Sequence, residues 1–111
     1  MRDESGDKAR FQHILSAISK LESFVYNVSY DEFISSDLIQ SAVERQLEII
    51  MEAFINLSDN FKEKHPSLDW ENIYGFRIIL AHIYFRVDPK LLWDAVNNDI
   101  PSFKSLIESF V

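Results

Sequence analysis

Cysteine is absent from the 111 residues, glycine occurs twice and proline three times. Without cysteine there is no disulfide scaffold, no Zn–Cys centre and no thiol catalysis, a composition that fits the cytosol. So little glycine and proline leaves too little turn punctuation for a β-sandwich or barrel, and points to helices. No apolar run approaches the roughly 18 residues of a membrane-spanning helix. The charged opening Met1-Arg-Asp-Glu-Ser-Gly-Asp-Lys8 lacks the pattern of a signal peptide. Positive charge is also scarce: 11 Lys and Arg against 18 Asp and Glu give a formal charge of −7. Such a chain is a poor generic nucleic-acid binder, because non-specific binding comes from cations that neutralise phosphates. A Gly-rich phosphate loop, a His-Glu-x-x-His pair and an EF-hand loop are missing too. What remains is a chain of 47% hydrophobic residues with nine Phe and only two Met, which predicts a ring-rich core. The length suits one helical domain over residues 1–111, with residues 1–6 as a flexible start, in the cytoplasm and away from membranes.

Hydrophobic spacing divides the chain into helices. Phe11, Ile14, Leu15, Ile18, Leu21 and Val25 recur in steps of 3 and 4, predicting a first helix from about Asp7 to Tyr26. Asn27-Val-Ser29 breaks it, and Tyr30-Asp-Glu-Phe33 suits a single turn. Asp37 is the expected N-cap of a second helix. Its stripe of Ile39, Ala42, Val43, Gln46 or Leu47, Ile50, Ala53, Phe54, Leu57 and Phe61 continues to just before Lys64-His65-Pro66, where proline restricts the preceding residue. Ser67 or Asp69 is expected to cap a third helix running past Trp70 to Tyr84, apolar nearly all round and therefore covered on more than one side. Asp88-Pro89 predicts the start of a fourth helix, Lys90 to about Asn97. Asp99-Ile-Pro101 predicts a second cap and a last helix to Phe110. The expected fold class is all-α, an up-down bundle of four to five helices.

Charge is unevenly placed. Residues 1–76 hold seven basic and fourteen acidic residues, whereas residues 77–111 hold four of each. The neutral stretch contains Arg77, His82 and Tyr84 in an otherwise apolar segment. A buried Arg or His needs a partner. Glu48 and Glu52, on the polar face of the second helix with Glu44, are candidate partners for Arg77. One reading is an internal Arg77 ion pair with His82 packed at a helix end; the other is a chemical site. His13 and His65 are expected at the surface, and Trp70 and Trp93 as packing anchors. Arg86 and Lys90 suit either phosphate contacts or helix ends. The glutamates lack the Glu-x-x-His companion of a carboxylate metal site, so neither metal nor cofactor is expected.

The ordered set of motifs resembles the HepT-like branch of the HEPN superfamily. Arg77-x4-His82-x-Tyr84 follows Gly75 and precedes Phe85-Arg-Val-Asp88 and Trp93-Asp-Ala-Val-Asn-Asn-Asp99-Ile-Pro101. Ala42 to Ala53 resembles that family's second-helix motif, Pro66-Ser-Leu-Asp-Trp70 its approach to the third helix, and Asp7-Lys-Ala-Arg10 with Ile14-Leu15 its opening. The resemblance implies a small bundle that forms a homodimer, with Arg77 and His82 lining an interface cleft that cleaves RNA without a metal. It also implies a toxin whose partner is a minimal nucleotidyltransferase antitoxin, able to neutralise it by adenylylating Tyr84.

That chemistry follows from the residues. Metal-independent cleavage uses the RNA 2′-hydroxyl as nucleophile, and His82 is a proton-transfer group suited to neutral pH. Arg77 can stabilise charge on the phosphorane through a planar fork. Two positions depart from the family pattern: Ile78 stands where a polar residue, often Asn, follows the Arg, and Met51 where Gly often precedes the Glu. On a regular helix Arg77 and His82 lie about 140° apart, so they converge only by reach, helix distortion or action across a dimer. The alternative function is a non-catalytic helical binding subunit of a nucleotidyltransferase.

Overall fold

The computed structural model describes residues 5–66, 68 and 88–111. Helix α1 spans Ser5–Val25, α2 Tyr30–Ile34, α3 Asp37–Ile55, α4 Asp59–Lys64, α5 Pro89–Asp94 and α6 Ile100–Glu108. A π-helical turn over Ala95–Asp99 joins the last two. There is no strand among the described residues, and the all-α expectation holds. The expected third helix, with Ser67, Asp69 and Trp70, lies outside the described residues.

Helix α1 buries the stripe that its spacing predicts: Phe11, Ile14, Ile18 and Leu21, joined by Ala17. It ends at Asn27, whose φ of 58° is the left-handed conformation that asparagine tolerates at a helix C-terminus. Helix α2 is one turn with a capping box: Glu32 N–H donates to Ser29 Oγ at 3.1 Å, and Ser29 N–H to Glu32 Oε1 at 3.2 Å. Phe33 enters the core from this turn. The buried Gln40 Nε2 then donates to the Phe33 and Ile34 carbonyls at 2.8 and 2.9 Å, closing the C-terminal end of α2 onto α3.

Helix α3 begins one residue away from the expected cap. Ser36, in an extended conformation, accepts from Ile39 N–H, so Asp37 is the first helical residue instead of the cap. The serine is favoured because its preceding chain already turns in from α2, which sets Ser36 at the non-helical position that a cap requires. Val43, Leu47, Ile50, Met51 and Phe54 form its buried face, packed mainly on α1.

The expected continuation of this helix to Phe61 is corrected. It stops at Ile55, and α4 restarts at Asp59. Asn56 Nδ2 donates to the Glu52 carbonyl at 2.8 Å, and the Lys62 ammonium donates to the Ile55 carbonyl, so freed carbonyls find donors. Ser58 caps α4 through Phe61 N–H. Fully buried, it also donates its N–H to Asp7 Oδ1 at 2.8 Å and its hydroxyl to Asp7 Oδ2 at 2.6 Å. Apolar spacing persists through Leu57 and Phe61 because both still enter the core; the partner that secures the break lies 51 residues away.

Asp88 caps α5 as expected, with Lys90 N–H donating to its carboxylate at 3.0 Å. Asp99 is a correction: its backbone is right-handed helical and its side chain makes no cap. The chain stays helical from Pro89 to Glu108, and Ile100 N–H reaches back five residues to the Ala95 carbonyl. Pro101 has no N–H and its ring would crowd an α-helical turn before it; the wider π turn accommodates it. Leu92, Ala95, Val96, Ile100 and Ile107 complete the core. Its rings cluster as predicted: Phe61 lies 5.4 Å from Phe11 and 5.0 Å from Phe110, and Phe54 4.9 Å from Phe103. Trp93 is the packing anchor expected, 5.2 Å from Phe33 and 5.6 Å from Tyr30. His65, expected at the surface, is instead half-buried, stacked on Phe61 at 4.3 Å with Nδ1 2.9 Å from the Phe61 carbonyl. Among the described residues no helix is long and apolar enough to cross a membrane.

Candidate functional site

Arg77, Ile78, His82, Tyr84 and Arg86 lie outside the described residues. Of the expected site residues, the structure places Glu48 and Glu52 on α3. They stand one turn apart on the face turned away from the core residues Leu47, Ile50, Met51 and Phe54.

These two carboxylates line an open groove of about 560 Å³ between α1 and α3. Helix α1 contributes Arg10 and His13, one turn apart; α3 contributes Arg45, Glu48, Ile49, Glu52 and Ala53, with Asn56 at its end. The α3 set recurs at helical spacing, which is why a short stretch of chain forms one wall. Sequence reasoning set Glu48 and Glu52 on a polar face but did not single out Arg10 or Arg45. It treated His13 only as a surface residue, and exposed it is. The spacing of Arg10 with His13 was visible in the sequence, but the pairing of that face with Arg45 depends on how α1 lies along α3.

The groove's charges are individually held. Arg45 Nη1 lies 3.4 Å from Glu48 Oε2, an exposed pair with the arginine side chain 68% accessible, so it contributes little to stability. Glu52 Oε1 accepts from Asn56 Nδ2 at 3.2 Å. Arg10 is more constrained. Its side chain is 29% accessible, its Nη1 is buried, and that atom lies 3.9 Å from Asp7 Oδ1 without a hydrogen bond. The neighbouring Gly6 makes this fit possible, since a Cβ there would come within 2.5 Å of Nη1. Chemically, the groove offers two guanidinium forks for an anion and two carboxylates for hydroxyl or amino donors. Among the described residues no three His, Asp or Glu side chains gather as metal ligands.

Comparison with known proteins places the chain among relatives of similar size. The family model for ribonuclease HepT-like proteins matches residues 14–110. A Methanocaldococcus jannaschii protein that is named as an RNase is 40% identical over 101 residues, covering 91% of this chain and 93% of that one. A Thermococcus cleftensis protein named as a ribonuclease HepT is 39% identical over 101 residues, covering 91% and 92%. A second M. jannaschii protein, whose name joins a gamma-glutamylcyclotransferase to an RNase, is 39% identical over 100 residues, 90% of this chain but 45% of that one. No solved structure matches.

Proposed function

The chain belongs to the HepT-like ribonuclease family, and from that premise we propose that it is a metal-independent endoribonuclease, the toxin of a pair completed by a minimal nucleotidyltransferase. The observation that carries this reading is the family match over residues 14–110, which contains the ordered Arg77-x4-His82-x-Tyr84 motif. In the proposed reaction His82 takes the proton from an RNA 2′-hydroxyl. The 2′-oxygen forms a bond to the adjacent phosphorus, and the bond from phosphorus to the 5′-oxygen breaks. A second His82, from the partner copy in a homodimer, returns a proton to the departing 5′-oxygen. Arg77 holds the phosphorane's charge with its fork, with Glu48 and Glu52 positioning it from α3. Tyr84 lines the site and is the residue a nucleotidyltransferase adenylylates, which adds a bulky anion where substrate phosphate belongs. Arg86 adds a phosphate contact. A single domain over residues 1–111 in the cytoplasm completes the reading.

The test is cleavage of RNA after EDTA treatment by the wild type and by His82→Ala and Arg77→Ala. The wild type retains activity without metal, and each variant loses about a hundredfold or more, the usual contribution of general acid–base or transition-state charge stabilisation. Equal cleavage by all three rejects the proposal.

Ile78 favours a second reading, in which the chain is a non-catalytic binding subunit of the nucleotidyltransferase. Isoleucine cannot orient an imidazole or touch phosphate, as the family's usual asparagine can. Ile78→Asn separates the two: a gain in cleavage marks a weakened enzyme, and no change with intact partner binding marks a binding subunit.

A further inference from the structure

The proposed reaction uses Arg77 and His82 and leaves unexplained why Arg10, His13 and Arg45 share one groove. Arg10 stands out. A surface arginine ordinarily keeps its rotamer freedom, which costs up to about 2 kcal/mol to remove. Here the guanidinium sits over Gly6, where no Cβ intrudes, and beside the Asp7 carboxylate. Asp7 is itself held by two hydrogen bonds from the buried Ser58. Because Nη1 is buried, the 29% of the side chain that remains accessible belongs to its other atoms. The result is an arginine restricted on one side before any ligand arrives, and such preorganisation lowers the entropy lost on binding.

The groove is not simply cationic. Two arginines are balanced by Glu48 and Glu52 in the same wall. An acidic peptide would bring its carboxylates against those glutamates, and the like charges would repel. Single-stranded RNA brings both complements: phosphodiester oxygens for the guanidinium forks, and ribose hydroxyl and base amino donors for the carboxylates. We propose that the α1–α3 groove is a binding track for single-stranded RNA, with Arg10 and Arg45 on phosphodiester groups. This rests on the ribonuclease reading for its ligand but on separate residues for its binding.

Fluorescence anisotropy of a labelled, mixed-sequence single-stranded RNA tests it, using the full chain in a His82→Ala background alongside the wild type. Arg10→Gln with Arg45→Gln weakens binding by about tenfold and lowers the slope of log affinity against log salt by about 1.4, since each single-strand phosphate left without its arginine takes away about 0.7. Glu48→Gln, which releases Arg45 and removes a negative charge while keeping a carbonyl acceptor for the RNA's donors, tightens binding. Arg45→Gln alone weakens it at a side chain too exposed to disturb the fold. Unchanged affinity and slope in the double variant overturn the proposal. Competition by polyglutamate as effective as that by RNA also overturns it, assigning the groove to an acidic protein partner. Cleavage by the wild type is scored separately: if RNA is cleaved but the arginine variants bind normally, only the track fails. If nothing is cleaved and the variants still lose binding, only the nuclease reading fails.

Discussion

The Asp7 carboxylate, 8% accessible, accepts both the N–H and the hydroxyl of a fully buried Ser58. Removing it strands two buried donors, each costing about 1–3 kcal/mol when left unpaired. Asp7→Ala therefore lowers stability by about 3 kcal/mol in urea unfolding, whereas Asp7→Asn, which still offers one oxygen, loses less. Gly6→Ala has a different signature. Alanine favours a helix over glycine by up to about 1 kcal/mol, and the atom its Cβ would strike is the mobile tip of Arg10. The expected outcome is unchanged or slightly raised thermal stability together with weaker RNA binding, a combination that neither a charge loss nor a folding defect produces. Gly6 was visible in the sequence only as a member of a charged, flexible start, and Asp7 only as the opening residue of the first helix. Their roles depend on Ser58 and on the path of Arg10 across the helix face.

At the scale of elements, two junctions determine where the helices point. The Asn56–Ser58 break lets Phe61 reach Phe11 and Phe110 instead of following the axis of α3. Ser58→Ala removes the α4 cap as well as the tie to Asp7, and is expected to cost more than Ser36→Ala, which removes a cap alone at about 1 kcal/mol. Chemical denaturation of the two variants side by side checks the order. The second junction is the π turn over Ala95–Asp99. A π turn carries one extra residue, so deleting Asn98 leaves an α-helical turn that the ring of Pro101 would crowd. That clash acts about one turn and a half from Ile107, which is fully buried. The deletion should lower stability by about 3 kcal/mol, the cost of proline inside a helix, while Asn98→Ala, at an exposed position, leaves it nearly unchanged. Helix existence was legible from hydrophobic period in α1, α3 and α6. These junctions were not: apolar spacing passed unbroken through the first, and at the second Asp99 and Pro101 read as a break where the chain stays helical.

At the scale of the whole molecule, the overall charge of −7 argues against indiscriminate RNA binding. The proposed track reconciles that charge with an RNA substrate by confining phosphate contacts to Arg10 and Arg45 in one groove. Binding should therefore be modest and only shallowly salt-dependent, as two phosphate contacts imply, with weak competition from duplex DNA. The proposed composite site also requires two copies. Sedimentation should give twice the chain mass at micromolar concentration, and mixing Arg77→Ala with His82→Ala chains should restore part of the cleavage if each site draws on both chains.

The sequence by itself determined the helical class, the ring-rich core, the limits of α1 and the family, because these depend on local period, capping residues and an ordered motif. Ser29, Asp88 and the stripe of α1 act where their immediate neighbours place them. Only the tertiary structure decided that the helix after Asp37 stops at Ile55, that Asp99 continues a helix it was expected to cap, and that His65 packs against both Phe61 and Phe110. It alone brought Arg10 and His13 across from Arg45, Glu48 and Glu52. The physical reason is common to all four: each outcome depends on a partner remote in the chain or on the angle at which two helices meet. Charge summed along the sequence cannot reveal where packing gathers it.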